Sequence, residues 1–445
     1  MLKRKVDSFF QSWKNRENHK PLIVYGARQI GKTTSIREFG KTYSSFIEIN
    51  FVTMPEYKMI FDHSLVVDNV IKEISLLNPN FNFIAGNTLI LLDEIQDCPN
   101  AVTFLKPVSE DGRFDIICSG SLLGVNYKKI SSIPVGFKEE YQMYSLDFEE
   151  FLWANNYDDS LINKIFDYMK ELKPLPEIYI TKLNQLYRDY LFVGGMPEVV
   201  NNFIKTNVFT EVFNIQKRIY KDYEDDCTKY VVGLDSAKVK NVYRHITPQL
   251  AKDNHKFQVS KLGHGARSRD YLGTEEWLKD SGIINVAYNL NELNVPFTTY
   301  ERPDYFRIYY ADHSLFIANL DEESKQDVII NKNYDIYNGA LYESLVSEAL
   351  VKSGYDLYFY KSDDSTIELD FVIRVKNSIV PIEVKRNKGR TKSLNKAIST
   401  LNLDYGVKLT NQNIGFSENK FTFPYFLTFL LKRFFQETDY IKWLK

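Results

Sequence analysis

The sequence predicts an α/β protein: a doubly wound parallel sheet, then helical segments, then a second strand-rich region. Three observations carry that prediction. The loop Gly26-Ala27-Arg28-Gln29-Ile30-Gly31-Lys32-Thr33 follows the apolar run Leu22 to Tyr25 and opens a helical stretch. The apolar run Leu89-Ile90-Leu91-Leu92 ends in two adjacent carboxylates, Asp93 and Glu94. Near the carboxyl end, Ile367 to Ile373 and Ile379 to Lys385 read as a hairpin turning at Lys376-Asn377-Ser378.

The first loop has the form G-x-x-x-x-G-K-T, and its chemistry is that of a phosphate cradle. Glycines let successive backbone amides turn inward toward phosphate oxygens, and the following helix adds its positive amino end. Gly26 through Thr34 are the expected ATP-binding segment, with Lys32 on the β and γ phosphates and Thr33 offering a hydroxyl to Mg²⁺. Asp93 is expected to hold that ion and Glu94 to polarise the attacking water, because phosphoryl transfer needs mainly positioning and charge compensation. Downstream, Phe114 to Ser121 reads as another buried strand whose hydroxyls emerge at its carboxyl end. Ser119 or Ser121 there meets the γ phosphate or serves the turn.

From residue 21 to about 155 apolar strands alternate with helical stretches, which places the sheet in residues 1–155. Residues 156–235 take helical spacing, broken by Val193-Gly194-Gly195-Met196-Pro197-Glu198, and read as a helical lid. Residues 236–300 predict a helix through His245 and Leu250, a short segment Val259 to Leu262, a third helix Ser268 to Asp280 and a hairpin, the order of a winged helix. Lys261, Arg267 and Arg269 lie near the start of that third helix, but Asp270, Glu275, Glu276 and Asp280 oppose a phosphate backbone.

In residues 301–445 the hairpin carries the second constellation. Asp370 lies on its first strand, and Glu383 and Lys385 share one face of its second, because strand side chains alternate. Asp370 and Glu383 are expected to hold Mg²⁺ or Mn²⁺, Glu343 to add a further ligand, and Lys385 to orient the nucleophile. Residues 372–400 hold eight Lys or Arg against the single acid Glu383, a local basic stretch suited to DNA or RNA.

Composition bounds the rest. With 445 residues, 44% of them hydrophobic, the chain can build several ordinary cores, while a net charge of -2 gives it no overall field for nucleic acid or membrane. Three widely spaced cysteines exclude a disulfide framework and point to a reducing cytoplasm. No run approaches a membrane span, and Pro424 to Phe435 is expected to pack as a terminal helix.

GARQIGKTT from Gly26, LLDEIQ from Leu91, SGSLLG from Ser119, SIPVG from Ser132, LDFEEFL from Leu146, GGMPE from Gly194, and IELDF with PIEVK resemble one family over nearly the whole chain. It comprises prokaryotic AAA-type (AAA+ superfamily) ATPases whose C-terminal domain of unknown function is similar to PD-(D/E)xK nucleases. The resemblance implies an AAA-type P-loop core, a winged-helix connector and a restriction-endonuclease-like α/β tail. It further implies ATP hydrolysis by Lys32 and Glu94 that drives a nuclease-like domain on nucleic acid, or else a regulatory ATPase whose tail binds a partner without cleaving. A nucleotide-dependent homo-oligomer is also implied. Phe137 stands where the family commonly has a basic residue, so a trans-acting arginine would come from Arg113 or Arg188.

Overall fold

The computed structural model describes residues 1–121, 136–231, 233–252, 255–329, 338–385 and 391–444. The chain divides into two compact units. One is Met1–Ser145 with Asp280–Gly282, the other Leu146–Lys279 with Ile283–Lys445.

In the first unit, α1 (Lys5–Lys14) precedes β1 (Leu22–Tyr25), α2 (Lys32–Gly40), β2 (Ser45–Asn50), α3 (Lys58–His63), α4 (Val67–Leu77), β3 (Thr88–Asp93), α5 (Pro99–Asp111), β4 (Asp115–Gly120) and β5 (Glu139–Gln142). The strands form one parallel sheet in the order β2-β3-β4-β1-β5. β3 is buried along its whole length, which is why its apolar run lacks alternation. Ile47, Ile49, Ile90, Leu92, Ile116 and Cys118 pack beneath α3, α4 and α5 in a continuous apolar core. β1 lies between β4 and β5, so the chain reverses direction across the sheet beside it, and the crevice at its carboxyl end is where such sheets bind ligands. SIPVG and the end of SGSLLG fall largely outside the described residues.

The second unit opens with helices. α6 (Phe148–Ala154) is followed by α7 (Asp159–Lys170), α8 (Glu177–Val193), α9 (Pro197–Thr206), α10 (Phe209–Lys229) and α11 (Ser236–Leu250). The division into compact units falls after Ser145, ahead of the boundary expected at 155. Phe148 and Phe151 of α6 pack on Tyr187 and Tyr190 of α8, with ring centroids 5.0 and 5.2 Å apart, so the LDFEEFL segment belongs to the helical packing of the second unit. The third helix expected at 268–280 is broken: a 3-10 turn covers Ser268–Tyr271, and α12 begins only at Thr274 and ends at Asp280. Gly273, at φ +80°, is in a left-handed conformation that interrupts any continuous helix.

β6 (Ile284–Leu290) and β7 (Glu301–Tyr310) pair antiparallel, as expected of the hairpin. They are not a separate wing. β6 also pairs in parallel with β8 (Tyr358–Lys361), and the hairpin joins an eight-stranded mixed sheet with β9 (Glu368–Val375), β10 (Ser378–Val384), β11 (Gly406–Thr410), β12 (Gly415–Ser417) and β13 (Lys420–Pro424). A division at residue 300 would cut the connection between two paired strands of one sheet. α13 (Ser314–Ala318) and α14 (Glu322–Ile329) lead to α15 (Asn338–Lys352). α16 (Lys392–Thr400) covers β9 with Leu394 and Ala397, which join Leu369 and Val372 in one cluster. The Phe-rich end is a 3-10 turn, Tyr425–Leu430, running into α17 (Leu431–Glu437), with Phe426, Leu427, Phe434 and Phe435 buried. Among the described residues no helix is long and apolar enough to cross a membrane.

Candidate nucleotide site and a second carboxylate cluster

The phosphate loop leaves β1 at its carboxyl end and wraps onto α2. Gly26 has φ +146°, and a Cβ there would lie 2.2 Å from the Met143 carbonyl oxygen, so only glycine lets the loop pass beneath the chain leaving β5. Gly31, at φ +94°, is the N-cap of α2. Lys32 donates from Nζ to the carbonyl oxygens of Gly26 and Ala27, at 3.0 and 2.7 Å. Burial pushes its pKa down to about 8, against the opposing pull of Glu94 and Asp93. Thr34 is exposed on the first turn of α2, while Arg28 donates from Nε to Ser121 Oγ at 3.2 Å.

Asp93, at the end of β3, is 5% exposed. Thr33 Oγ1 lies 3.3 Å from each of its carboxylate oxygens, Asn50 Nδ2 donates to Oδ2 at 2.9 Å, and Ser119 Oγ donates to Oδ1. Register explains the convergence: Asn50 is the β2 partner of Asp93, and β4 carries Ser119 on the other side of β3. Among the described residues the hydrogen-bond donors to Asp93 are all neutral, so its charge remains available to a cation. The Thr33 hydroxyl on the first turn of α2 beside the Asp93 carboxylate at the end of β3 suits Mg²⁺, which takes oxygen ligands and keeps several waters. Glu94 sits at φ +53°, a conformation uncommon outside glycine, and accepts from Gln96 Nε2 at 2.5 Å and Ser121 Oγ at 3.4 Å. Lys32, Thr33, Asp93, Glu94, Ser119 and Ser121 lie together at the carboxyl ends of β1, β3 and β4, with Asn50 and Gln96 beside the two carboxylates.

The second cluster lies on the mixed sheet. Ile382 pairs with Phe371 in an antiparallel ladder, so Glu383, one residue after Ile382, comes beside Asp370, one residue before Phe371. Asp370 accepts from the Val384 amide at 2.7 Å, and Glu383 accepts from the Leu394 amide at 3.3 Å and lies 3.3 Å from Lys385 Nζ. Burial, followed by the charge of Glu343, pushes Asp370 up to about 7. Burial also raises Glu383, while Lys385 is held above its usual value because Asp370 and Glu383 outweigh its own burial.

Glu343 is differently placed. Its Oε2 receives His255 Nδ1 at 2.8 Å, Tyr309 OH at 3.2 Å and Arg307 Nη1 at 3.4 Å, and Arg307 Nη2 donates to Glu368 at 2.7 Å. Burial opposes ionisation of Glu343, but His255 and Arg307 outweigh it and hold the carboxyl below its ordinary range. Arg307 is itself buried and stacks 4.3 Å from the Phe359 ring. Among the described residues the ligand atoms of Asp312, His313 and Glu348, not those of Glu343, Asp370 and Glu383, come within 4.8 Å of one another.

That other trio is a closed ion network. His313 offers both ring nitrogens to oxygens, Glu348 Oε2 at 2.7 Å and the Tyr190 carbonyl at 2.9 Å, and Lys352 pairs with the other oxygen of Glu348. Asp312 accepts from the Gly195 amide at 2.9 Å. A Cβ at Gly194 would lie 2.6 Å from Asp312 Oδ1, and one at Gly195 would lie 2.0 Å from the Leu146 carbonyl oxygen. GGMPE is therefore a close-approach site as well as a turn. Of the two arginines considered for a trans role, Arg113 is paired with Asp111 and Asp68 at the amino end of β4, away from the phosphate loop, and Arg188 is exposed on α8.

Residues 18–152 match a family model described as an AAA domain. Residues 184–326 and 338–426 match two domains of unknown function, DUF8612 and DUF4143. No curated protein matches the chain. Among solved structures it is similar to a Walker-type ATPase of Pyrococcus abyssi, with 13% identity, 72% of this chain and 96% of the other covered, and a TM-score of 0.43. It is also similar to PCH-2 of Caenorhabditis elegans, with 12% identity, 45% and 60% covered, and a TM-score of 0.26. A DNA replication initiation factor follows, with 12% identity, 62% and 86% covered, and a TM-score of 0.24. Residues 18–152 on the parallel sheet thus match an AAA domain, followed by regions matching domains of unknown function.

Proposed function

We propose that this protein is a Mg²⁺-dependent ATPase whose hydrolysis cycle repositions a C-terminal domain acting on nucleic acid. The observation that carries the first half is Asp93, buried beside Thr33 and hydrogen-bonded by neutral donors alone among the described residues. Bound there with the nucleotide, Mg²⁺ would neutralise charge on the phosphates. Lys32 would contact the phosphates, Glu94 would orient water, and Ser119, hydrogen-bonded to Asp93, would face the γ phosphate. The nucleotide-dependent homo-oligomer belongs to the same reading.

Two readings of the C-terminal domain remain distinct. A metal-dependent nuclease is supported by Asp370, Glu383 and Lys385 on adjacent strands and by the order α15-β8-β9-β10-α16-β11. A domain that binds nucleic acid without cutting is supported by Glu343, which is committed to His255, Tyr309 and Arg307. We favour the second, because that carboxylate already has its cations. ATP turnover by Lys32→Ala and Glu94→Gln tests the first half; parental turnover in either refutes its assigned role. Incubating the protein with single-stranded, duplex and branched DNA plus Mn²⁺ tests the second: cleavage lost in Asp370→Ala selects the nuclease, and retention without cleavage selects the binding domain.

A further inference from the structure

Arg4 precedes α1 and is 5% exposed, an unusual burial for an arginine in a basic amino terminus. Its Nη1 donates to the Ile30 carbonyl at 2.8 Å and its Nη2 to the Tyr144 carbonyl at 2.6 Å. Asp7 accepts from the Arg4 backbone amide at 2.8 Å, so the start of α1 is fixed as well. α1 rests on the sheet unit through Phe10 on Phe39 and Phe9 on Tyr141, with ring centroids 5.0 and 4.4 Å apart.

Ile30 belongs to the phosphate loop, and its peptide with Gly31 is trans. In a planar trans peptide the carbonyl and the next amide point in opposite directions. Holding the Ile30 carbonyl toward α1 therefore turns the Gly31 amide away from α1, into the hollow of the loop. A loop that aims its amides inward leaves carbonyls facing out, and a buried carbonyl needs a donor. We propose that Arg4 is a positioning residue of the nucleotide site: its fork satisfies the outward Ile30 carbonyl, fixes the Gly31 amide for a phosphate oxygen, and ties the loop to Tyr144 where the chain leaves β5. The proposal rests on the ATP-binding reading of the loop. Lysine is a poor substitute, because the Ile30 and Tyr144 carbonyls are held by two separate nitrogens of a planar fork, which a single ammonium does not reproduce.

The test is titration of the full chain with a fluorescent ATP analogue, together with thermal melting, for the parental protein, Arg4→Lys, Arg4→Gln and Phe9→Ala. Phe9→Ala loosens α1 without touching the loop. Both Arg4 variants should bind ATP about ten-fold more weakly or worse, since hydrogen bonds from a charged donor are at stake. Phe9→Ala should melt earlier yet keep the parental Kd. Should Arg4→Gln not fold, Arg4→Lys, which keeps the charge, decides. Parental affinity in the folded Arg4 variants, or equal weakening by Phe9→Ala, overturns the proposal while leaving the ATP reading intact. Absence of binding by the parental protein overturns both.

Discussion

Asp93 in the first unit and Glu343 in the second are both buried carboxylates beside a sheet, and their surroundings differ in one respect. Asp93 is hydrogen-bonded by a threonine, an asparagine and a serine, all neutral, whereas Glu343 is bonded by an arginine, a histidine and a tyrosine. Burying a charge is costly unless it is compensated. At the first site the nearby Lys32 acts on Asp93 only through space and every hydrogen bond comes from a neutral group, whereas at the second the cations themselves hydrogen-bond the carboxylate. Residue type alone does not distinguish a cation site from an ion-pair cluster; the charge of the partners does.

The comparison breaks most readily at Lys32. Lys32→Ala should lower ATP affinity by about two orders of magnitude, because a charge-assisted set of phosphate contacts is lost. Titration with a fluorescent ATP analogue checks it. Glu94→Gln should keep ATP bound while slowing turnover.

At the second cluster, Arg307→Gln leaves Glu343 and Glu368 without their shared cation. Breaking a buried pair costs about 3–5 kcal/mol, so urea unfolding should show a large loss of stability in the second unit. A near-parental midpoint would mean that Glu343 is not held by Arg307.

Asp370 sharpens the contrast through pH. Its folded pKa of about 7 lies above the ordinary 3.8, so between those values the folded state binds more protons than the unfolded state. Its contribution to stability therefore falls as pH rises from about 4 to about 7 and stays low above that. Asp370→Asn removes this dependence. Melting curves should show the variant gaining on the parental protein at pH 8 and losing that advantage toward pH 4.

The smallest effect is expected at Asn50. Asn50→Ala deletes one neutral hydrogen bond to Asp93 and should cost about 1 kcal/mol, well below the Arg307 effect, in the same urea experiment. A loss as large as that of Arg307→Gln would erase the distinction between neutral and ionic surroundings.

Which parts of this were legible in the chain depends on how local they are. The phosphate loop and the Asp93–Glu94 pair are contiguous segments whose residue order is itself the chemistry, and the structure brings them together. Asn50 joins Asp93 only because β2 pairs with β3, and no spacing in the sequence announces that register. Arg4 reads as one of several basic residues near the amino end; its burial and its carbonyl partners come from tertiary packing. Arg307, His255 and Glu343 reach one another from segments far apart in sequence, so the sequence offers Glu343 only as a further metal ligand and not as the centre of an ion-pair cluster. The β6–β7 hairpin is legible as a hairpin, but the pairing of β6 with β8 skips the segment between them and no local pattern announces it.

The most direct test of the account is titration of the full-length protein with Mn²⁺, followed by electron paramagnetic resonance, with and without ATP, in the parental, Lys32→Ala and Asp370→Asn proteins. The account predicts one tightly bound Mn²⁺ per chain that requires ATP, disappears in Lys32→Ala and persists in Asp370→Asn. A Mn²⁺ bound without nucleotide and lost in Asp370→Asn would contradict it.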